Sequence, residues 1–97
     1  MIISEWIELK TDPEFFDLVW KGDKTFEIRF NDRDFKVCDF IALKETRYSA
    51  SEMKAGKPLE YTGREIDAEI THVFSGFGLL PGFVILSFRI TGKVEKG

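Results

Sequence analysis

The stretch Gly22-Asp23-Lys24-Thr25-Phe26-Glu27-Ile28-Arg29-Phe30-Asn31-Asp32-Arg33-Asp34-Phe35-Lys36-Val37-Cys38-Asp39 decides how this chain folds. From Lys24 to Phe30 the residues alternate with period two, as a strand requires. Phe26, Ile28 and Phe30 share one face, and Thr25, Glu27, Arg29 and Asn31 share the other. Asn31-Asp32-Arg33-Asp34 is a turn by composition, because Asn and Asp side chains bond nearby backbone groups. Val37 to Leu43 is apolar enough for a second, buried strand. Between Lys21 and Lys36, five cations (Lys21, Lys24, Arg29, Arg33, Lys36) stand against four anions (Asp23, Glu27, Asp32, Asp34). That near balance favours a salt-bridged turn over a continuous phosphate track.

Upstream, Ile2 to Lys10 reads as a first strand, and Thr11-Asp12-Pro13-Glu14 starts a helix. Asp12 is the candidate cap, Pro13 suits the first turn, and Glu14 favours the positive end of the helix. Phe15, Phe16, Val19 and Trp20 recur at helical spacing, and Gly22 stands where helices stop. Downstream, Glu45 to Glu60 is a polar loop with one helical turn at 51–55. Tyr61 to Phe74 is a long strand, Ser75 to Gly82 a Gly-rich loop, and Phe83 to Ile90 a last buried strand. Residues 91–97 are polar and expected to fray. Residues 1–97 thus make a single α+β domain, mainly β. About five or six strands with one N-terminal helix suit a small barrel.

Composition narrows the function classes. The chain has 97 residues, 43% of them hydrophobic, with ten Phe, which suits one modest core. No apolar run is long enough to cross a bilayer, so no membrane partner is expected. Met1-Ile2-Ile3-Ser4-Glu5-Trp6 lacks the basic and apolar regions of a signal peptide. One cysteine, Cys38, excludes an internal disulfide and a multi-cysteine zinc site, and a reducing cytoplasm is the expected location. One histidine, His72, lies in a strand pattern and is expected to be core or half-buried. With one Cys it makes no metal site, and no metal or cofactor is expected. The net charge of −3 argues against a simple phosphate clamp but leaves room for a few placed cations.

The 22–39 block resembles the Gly-x-Lys-x-x-x-x-Arg signature of the ASCH family. In its longer form, Gly-x-Lys-Thr-Phe-Glu-x-Arg-x-Asn-Asp-Arg-x-Phe-x-Val-x-Asp, it is similar to the branch known as DUF3850. Leu9-Lys10-Thr11, the aromatic helix, Tyr61-Thr62-Gly63-Arg64 and Gly82-Phe83-Val84-Ile85 align in order with that branch. The resemblance implies a PUA-like β-barrel, with nucleic acid or a nucleoside as ligand. Two positions depart from the pattern. Ile7 stands where the branch often has His, and Cys38 where it often has Gly, which asks the turn at Cys38 to avoid positive φ. Some ASCH proteins resemble amidohydrolases that use a Lys, a Thr and a Glu. Lys24 matches the Lys, but Glu27 stands in the place of the Thr, so the resemblance does not extend to that activity.

These residues define the candidate site. Lys24, Arg29, Arg33 and Arg64 are expected to meet phosphates or base edges, Glu27 to accept from an exocyclic amine, and Tyr61 to offer a stacking face, with Thr25 beside them. The leading expectation is recognition of RNA, or of a nucleobase within it, with DNA as a further ligand. The alternative is a small hydrolase acting on a modified nucleoside or nucleic acid, with Lys24 and Glu27 as acid–base groups. A third is a protein-interaction module, suggested by the acidic net charge and aromatics such as Trp6.

Overall fold

The computed structural model describes residues 6–96; the part of the expected first strand before Trp6 lies outside them. Seven elements follow in order: β1 (Ile7–Thr11), α1 (Pro13–Lys21), β2 (Phe26–Phe30), β3 (Phe40–Thr46), α2 (Ala50–Lys54), β4 (Tyr61–Ser75) and β5 (Phe83–Glu95). The strands form one curled half-barrel sheet in the order β1-β3-β4-β5-β2. β1 and β3 run parallel, and the other neighbours are antiparallel. The core is built from the inward residues of β3, β4 and β5, chiefly Ile41, Leu43, Ile66, Ile70 and Leu86, covered by Phe16 and Val19 of α1. A shift in register between Ile70 and His72 changes the strand's parity, so that Val73 packs against the core after it.

The helices differ from expectation in one detail each. α1 stops at Gly22, whose φ of 86° is left-handed, and the Gly22 and Asp23 N–H groups donate to Val19 and Leu18 carbonyls. Asp12, however, makes no side-chain cap. Its Oδ1 accepts from the Ala50 N–H at 3.0 Å and so ties α2 to the start of α1. α2 begins one residue before the turn expected at 51–55, closed by a reciprocal box. Ser49 Oγ accepts from Glu52 N–H at 3.1 Å, and Glu52 Oε1 accepts from Ser49 N–H at 3.0 Å.

Other sequence expectations are corrected. The segment 91–97 does not fray from Thr91, because β5 stays paired with β4 as far as Glu95, opposite Arg64. Its backbone has a partner that composition alone does not reveal. Glu45 and Thr46, assigned by composition to a loop, continue β3 and are buried. His72 is exposed, because the neighbouring register shift places it on the outer face. Cys38 is exposed too, and its φ is 77°. Two backbone bonds hold this conformation: Cys38 N–H donates to Ile70 O at 2.8 Å, and Asp39 N–H to Lys36 O at 3.0 Å. A left-handed non-glycine residue costs about 1–2 kcal/mol, whereas glycine's extra unfolded-state freedom costs about 0.4–1 kcal/mol. Cys38→Gly is therefore expected to stabilise the domain by about 0.5–1 kcal/mol, read as a higher urea midpoint at an unchanged slope. An unchanged or lower midpoint would show that the turn is not strained.

Candidate functional site: the seam between the sheet edges

β1 and β2 are the two edges of the sheet. The register of β2 decides what lies between them. Glu27 stands opposite Leu86 and Arg29 opposite Val84, both core residues, so the charged face of β2 points inward. Phe26, Ile28 and Phe30 face outward and are 38%, 51% and 56% exposed. This inverts the usual apolar-in, polar-out arrangement of an antiparallel strand.

The inward charges satisfy one another. Lys24 Nζ donates to Glu27 Oε1 at 2.8 Å, and Arg29 Nε lies 3.5 Å from Glu27 Oε2. Lys24 also lies 5.3 Å from the Phe15 ring centre and 5.2 Å from that of Phe26, within cation–π range. Arg29 reaches across the seam and donates to Lys10 O at 2.6 Å and Thr11 Oγ1 at 3.3 Å. Among the described residues no ladder joins β1 to β2, so this side chain makes the connection that backbone bonds would make in a closed barrel.

A cleft of about 410 Å³ opens at the seam. Lys10, Arg29, Arg33 and Lys44 bring four cations to it, Glu8 and Asp32 two carboxylates, and Phe30 and Tyr61 two aromatic faces. Parallel pairing sets Lys10 beside Lys44. Lys44 donates to Glu8 at 2.8 Å and lies 5.1 Å from the Tyr61 ring centre. The bond to Glu8 raises the affinity of Lys44 for its proton and lowers that of the Glu8 carboxylate. Arg33 has only a 4.0 Å contact with Asp32 and is half-exposed, so its donors are available.

The sequence-predicted residues therefore divide. Arg29, Arg33 and Tyr61 line this cleft. Glu27 lines a hollow of about 260 Å³ that shares Lys10, Arg29 and Phe30 with the cleft, and Lys24 joins Glu27, Phe15 and Ile28 only in a further hollow of about 150 Å³. Thr25 is exposed just before β2. Arg64 is not brought to Lys24. Its Nε and Nη2 donate to the two oxygens of buried Glu45 at 2.9 and 2.8 Å, and its guanidinium lies 5.2 and 4.9 Å from the Phe16 and Trp20 ring centres. Arg64 borders a neighbouring cleft of about 200 Å³ that includes Lys44 and Tyr61, but its fork is already engaged. Lys10, Lys44 and Glu8 were missed as site residues. Their signal is strand pairing, which brings positions 34 residues apart together and leaves no local pattern.

Asn31 Oδ1 accepts from Phe35 N–H at 2.9 Å, as the turn composition predicts, and thereby seats Phe35 in the core. On the outer face of β4, Glu65 lies beside Asp67. A hydrogen bond with Asp67, burial and the like charge together raise the Glu65 carboxyl above its ordinary range. Among the described residues no group of His, Cys, Asp and Glu could hold a metal ion, and no helix is long and apolar enough to cross a membrane.

The molecule is thus a small, mainly β α+β domain whose half-barrel is bridged at the seam by a charged side chain. The chain belongs to the DUF3850 family, a domain of unknown function whose model matches residues 7–88. It is also similar to an uncharacterised 12.9 kDa protein in the GpA 3′ region of Escherichia phage P2. The two are 32% identical over 87 residues, which cover 90% of this chain and 70% of the phage protein.

Proposed function

We propose that this domain is an ASCH-type, PUA-like module that binds nucleic acid, most readily RNA, or a nucleobase within it, at the cleft between β1 and β2. One observation carries this reading: four cations against two carboxylates, a local excess of two, converge with the Tyr61 ring on a single cleft in a chain whose net charge is −3. Only local placement accounts for such a concentration, and a mixed cationic and aromatic lining suits a phosphate with its attached base. The volume of about 410 Å³ is of the size that small-ligand pockets have. Arg33, with free donors, is the phosphate contact. Lys10 extends the positive edge beside Lys44, which Glu8 holds, and Tyr61 stacks. Arg29 holds the seam and presents its remaining donors. The exposed free thiol of Cys38 suits a cytoplasmic setting.

Amide NMR titration with nucleosides, nucleotides and short RNA and DNA strands at two salt concentrations tests it. Shifts are expected at Lys10, Arg29, Arg33, Lys44 and Tyr61. Arg33→Ala should weaken binding about 5–10-fold and reduce the salt slope by about one, with an unchanged melting temperature. Absence of shifts with every ligand would sink the proposal.

A second reading has its own observation. The ion pair of Lys24 and Glu27 borders a small hollow one step removed from the cleft, an arrangement suited to proton transfer in hydrolysis of a modified nucleoside. Product signals in the same titration, lost in a folded Glu27→Gln variant, would favour hydrolysis over binding alone.

A further inference from the structure

The outward face of β2 does not end at that strand. Ile28 stands opposite Ile85, and Ile85 opposite Phe74, so an apolar row crosses three strands. Phe30 stands opposite Phe83, and their rings meet edge to face with centres 5.6 Å apart. The loop between β4 and β5 folds back onto the same surface. Asn31 N–H donates to Gly82 O at 2.8 Å, and a Cβ on Gly82 would lie only 2.6 Å from Phe30 Cε1. At the apex of this loop Phe77 is 95% exposed, and Leu80 is 72% exposed. A hollow of about 400 Å³ under the same loop opens on the other, inward side of the sheet, with Val73, Leu79 and Val84 in its walls.

We propose that this face is the contact of a symmetric homodimer, in which Phe77 of each copy packs on the apolar row of the other. Three observations select a second copy as the occupant. The first is area. At about 200 Å² for a fully exposed aromatic side chain, Phe26, Phe30, Phe74 and Phe77 together leave roughly 450 Å² in water, and Ile28 and Leu80 add to it. The total exceeds what most monomers leave in one patch and approaches the roughly 800 Å² per partner of a stable interface. The second is charge. A two-fold axis sets a surface against itself, so any net charge on it would meet its own sign. The residues of the apolar row and the loop apex are uncharged, and Lys24 meets the patch only at its Phe26 edge, although the chain as a whole carries −3. The third is geometry. The projecting Phe77 adjoins the apolar row through a loop that folds onto the Phe30 ring, so one two-fold axis sets each copy's ring on the other's row at once, as an isologous interface requires. The outer face of edge strand β2 also lacks the Lys or Glu that edge strands commonly use to discourage association.

Sedimentation velocity and light scattering from roughly 1 µM to 1 mM test the proposal. The expected species has twice the 11.2 kDa mass of one chain. The double variant Phe77→Glu with Leu80→Glu should raise the dissociation constant by about 100-fold or more. Both side chains are exposed in the single chain, so at concentrations where both proteins are monomeric its thermal melt should match that of the parent. On dilution, amide shifts should be confined to β2, the end of β4, the following loop and the start of β5. A monomer at every concentration overturns the proposal, including one that captures a different protein through this face. So does a dimer that the double variant leaves intact.

Discussion

Glu27→Ala is expected to lower the stability of the domain by about 3 kcal/mol, read from urea unfolding at neutral pH. The Glu27 side chain is only 6% exposed and is the shared anion of Lys24 and Arg29, which are 16% and 23% exposed. Removing one partner of a buried pair costs about 3–5 kcal/mol, because the remaining charge has lost its water and its counter-ion. The partial exposure of Lys24 and Arg29 places the cost at the low end. Against a total stability of about 5–15 kcal/mol, a loss of that size is large. Glu27→Gln keeps an acceptor for Lys24 but loses the charge, and should cost less than Glu27→Ala.

The pair need not be stabilising overall. Two apolar residues of similar volume can replace a buried ion pair at little cost. Lys24→Met combined with Glu27→Leu should therefore recover most of the loss, since Arg29 keeps its bonds to Lys10 O and Thr11. A double-mutant cycle reads the coupling directly. Additive losses would mean that Lys24 and Glu27 are effectively solvated and that the inward charges of β2 do not hold the seam.

The inward placement of Glu27 marks the limit of what was legible in the chain. Period two in 24–30 is a local property and reveals the strand. The face that turns inward is set by pairing with β5, which lies more than fifty residues away in sequence. The helix was legible for the same reason as the strand: Pro13, the aromatic spacing and Gly22 all act within a few residues of one another. The fold class followed from such local signals. The cleft did not, because Lys10 and Lys44 meet through a parallel pairing of β1 with β3. The continuation of β5 to Glu95 depends likewise on a partner, the residues Arg64 to Asp67 near the start of β4. Arg64 was recognisable as a motif residue, but its engagement by Glu45 requires β3 to extend through a segment that reads as loop. Residues whose role is set by non-local pairing were the ones misplaced.

Arg64→Ala should likewise cost about 3 kcal/mol at neutral pH, and its pH dependence separates this ion pair from ordinary packing. Burial alone would push the Glu45 carboxyl up, but hydrogen bonds from Arg64 and Thr62, with the Arg64 charge, outweigh it and leave Glu45 below its ordinary 4.5. The depressed folded-state pKa means that Glu45 contributes stability above about pH 4.5 and that this contribution is lost as pH falls through the folded value. Without Arg64 the desolvation remains while the largest opposing interaction disappears. The Glu45 pKa then rises above its unfolded value, and protonation stabilises the variant as pH falls. The two proteins thus respond to acid with opposite signs at this one group. The stability gap between them should be widest near pH 7 and narrow toward pH 4. Arg64→Lys keeps the charge but not the two-pronged fork on Glu45, and should fall between parent and alanine. Urea midpoints of all three proteins at both pH values give the test. A gap that does not change with pH would assign the loss to the contacts of Arg64 with Phe16 and Trp20 rather than to Glu45.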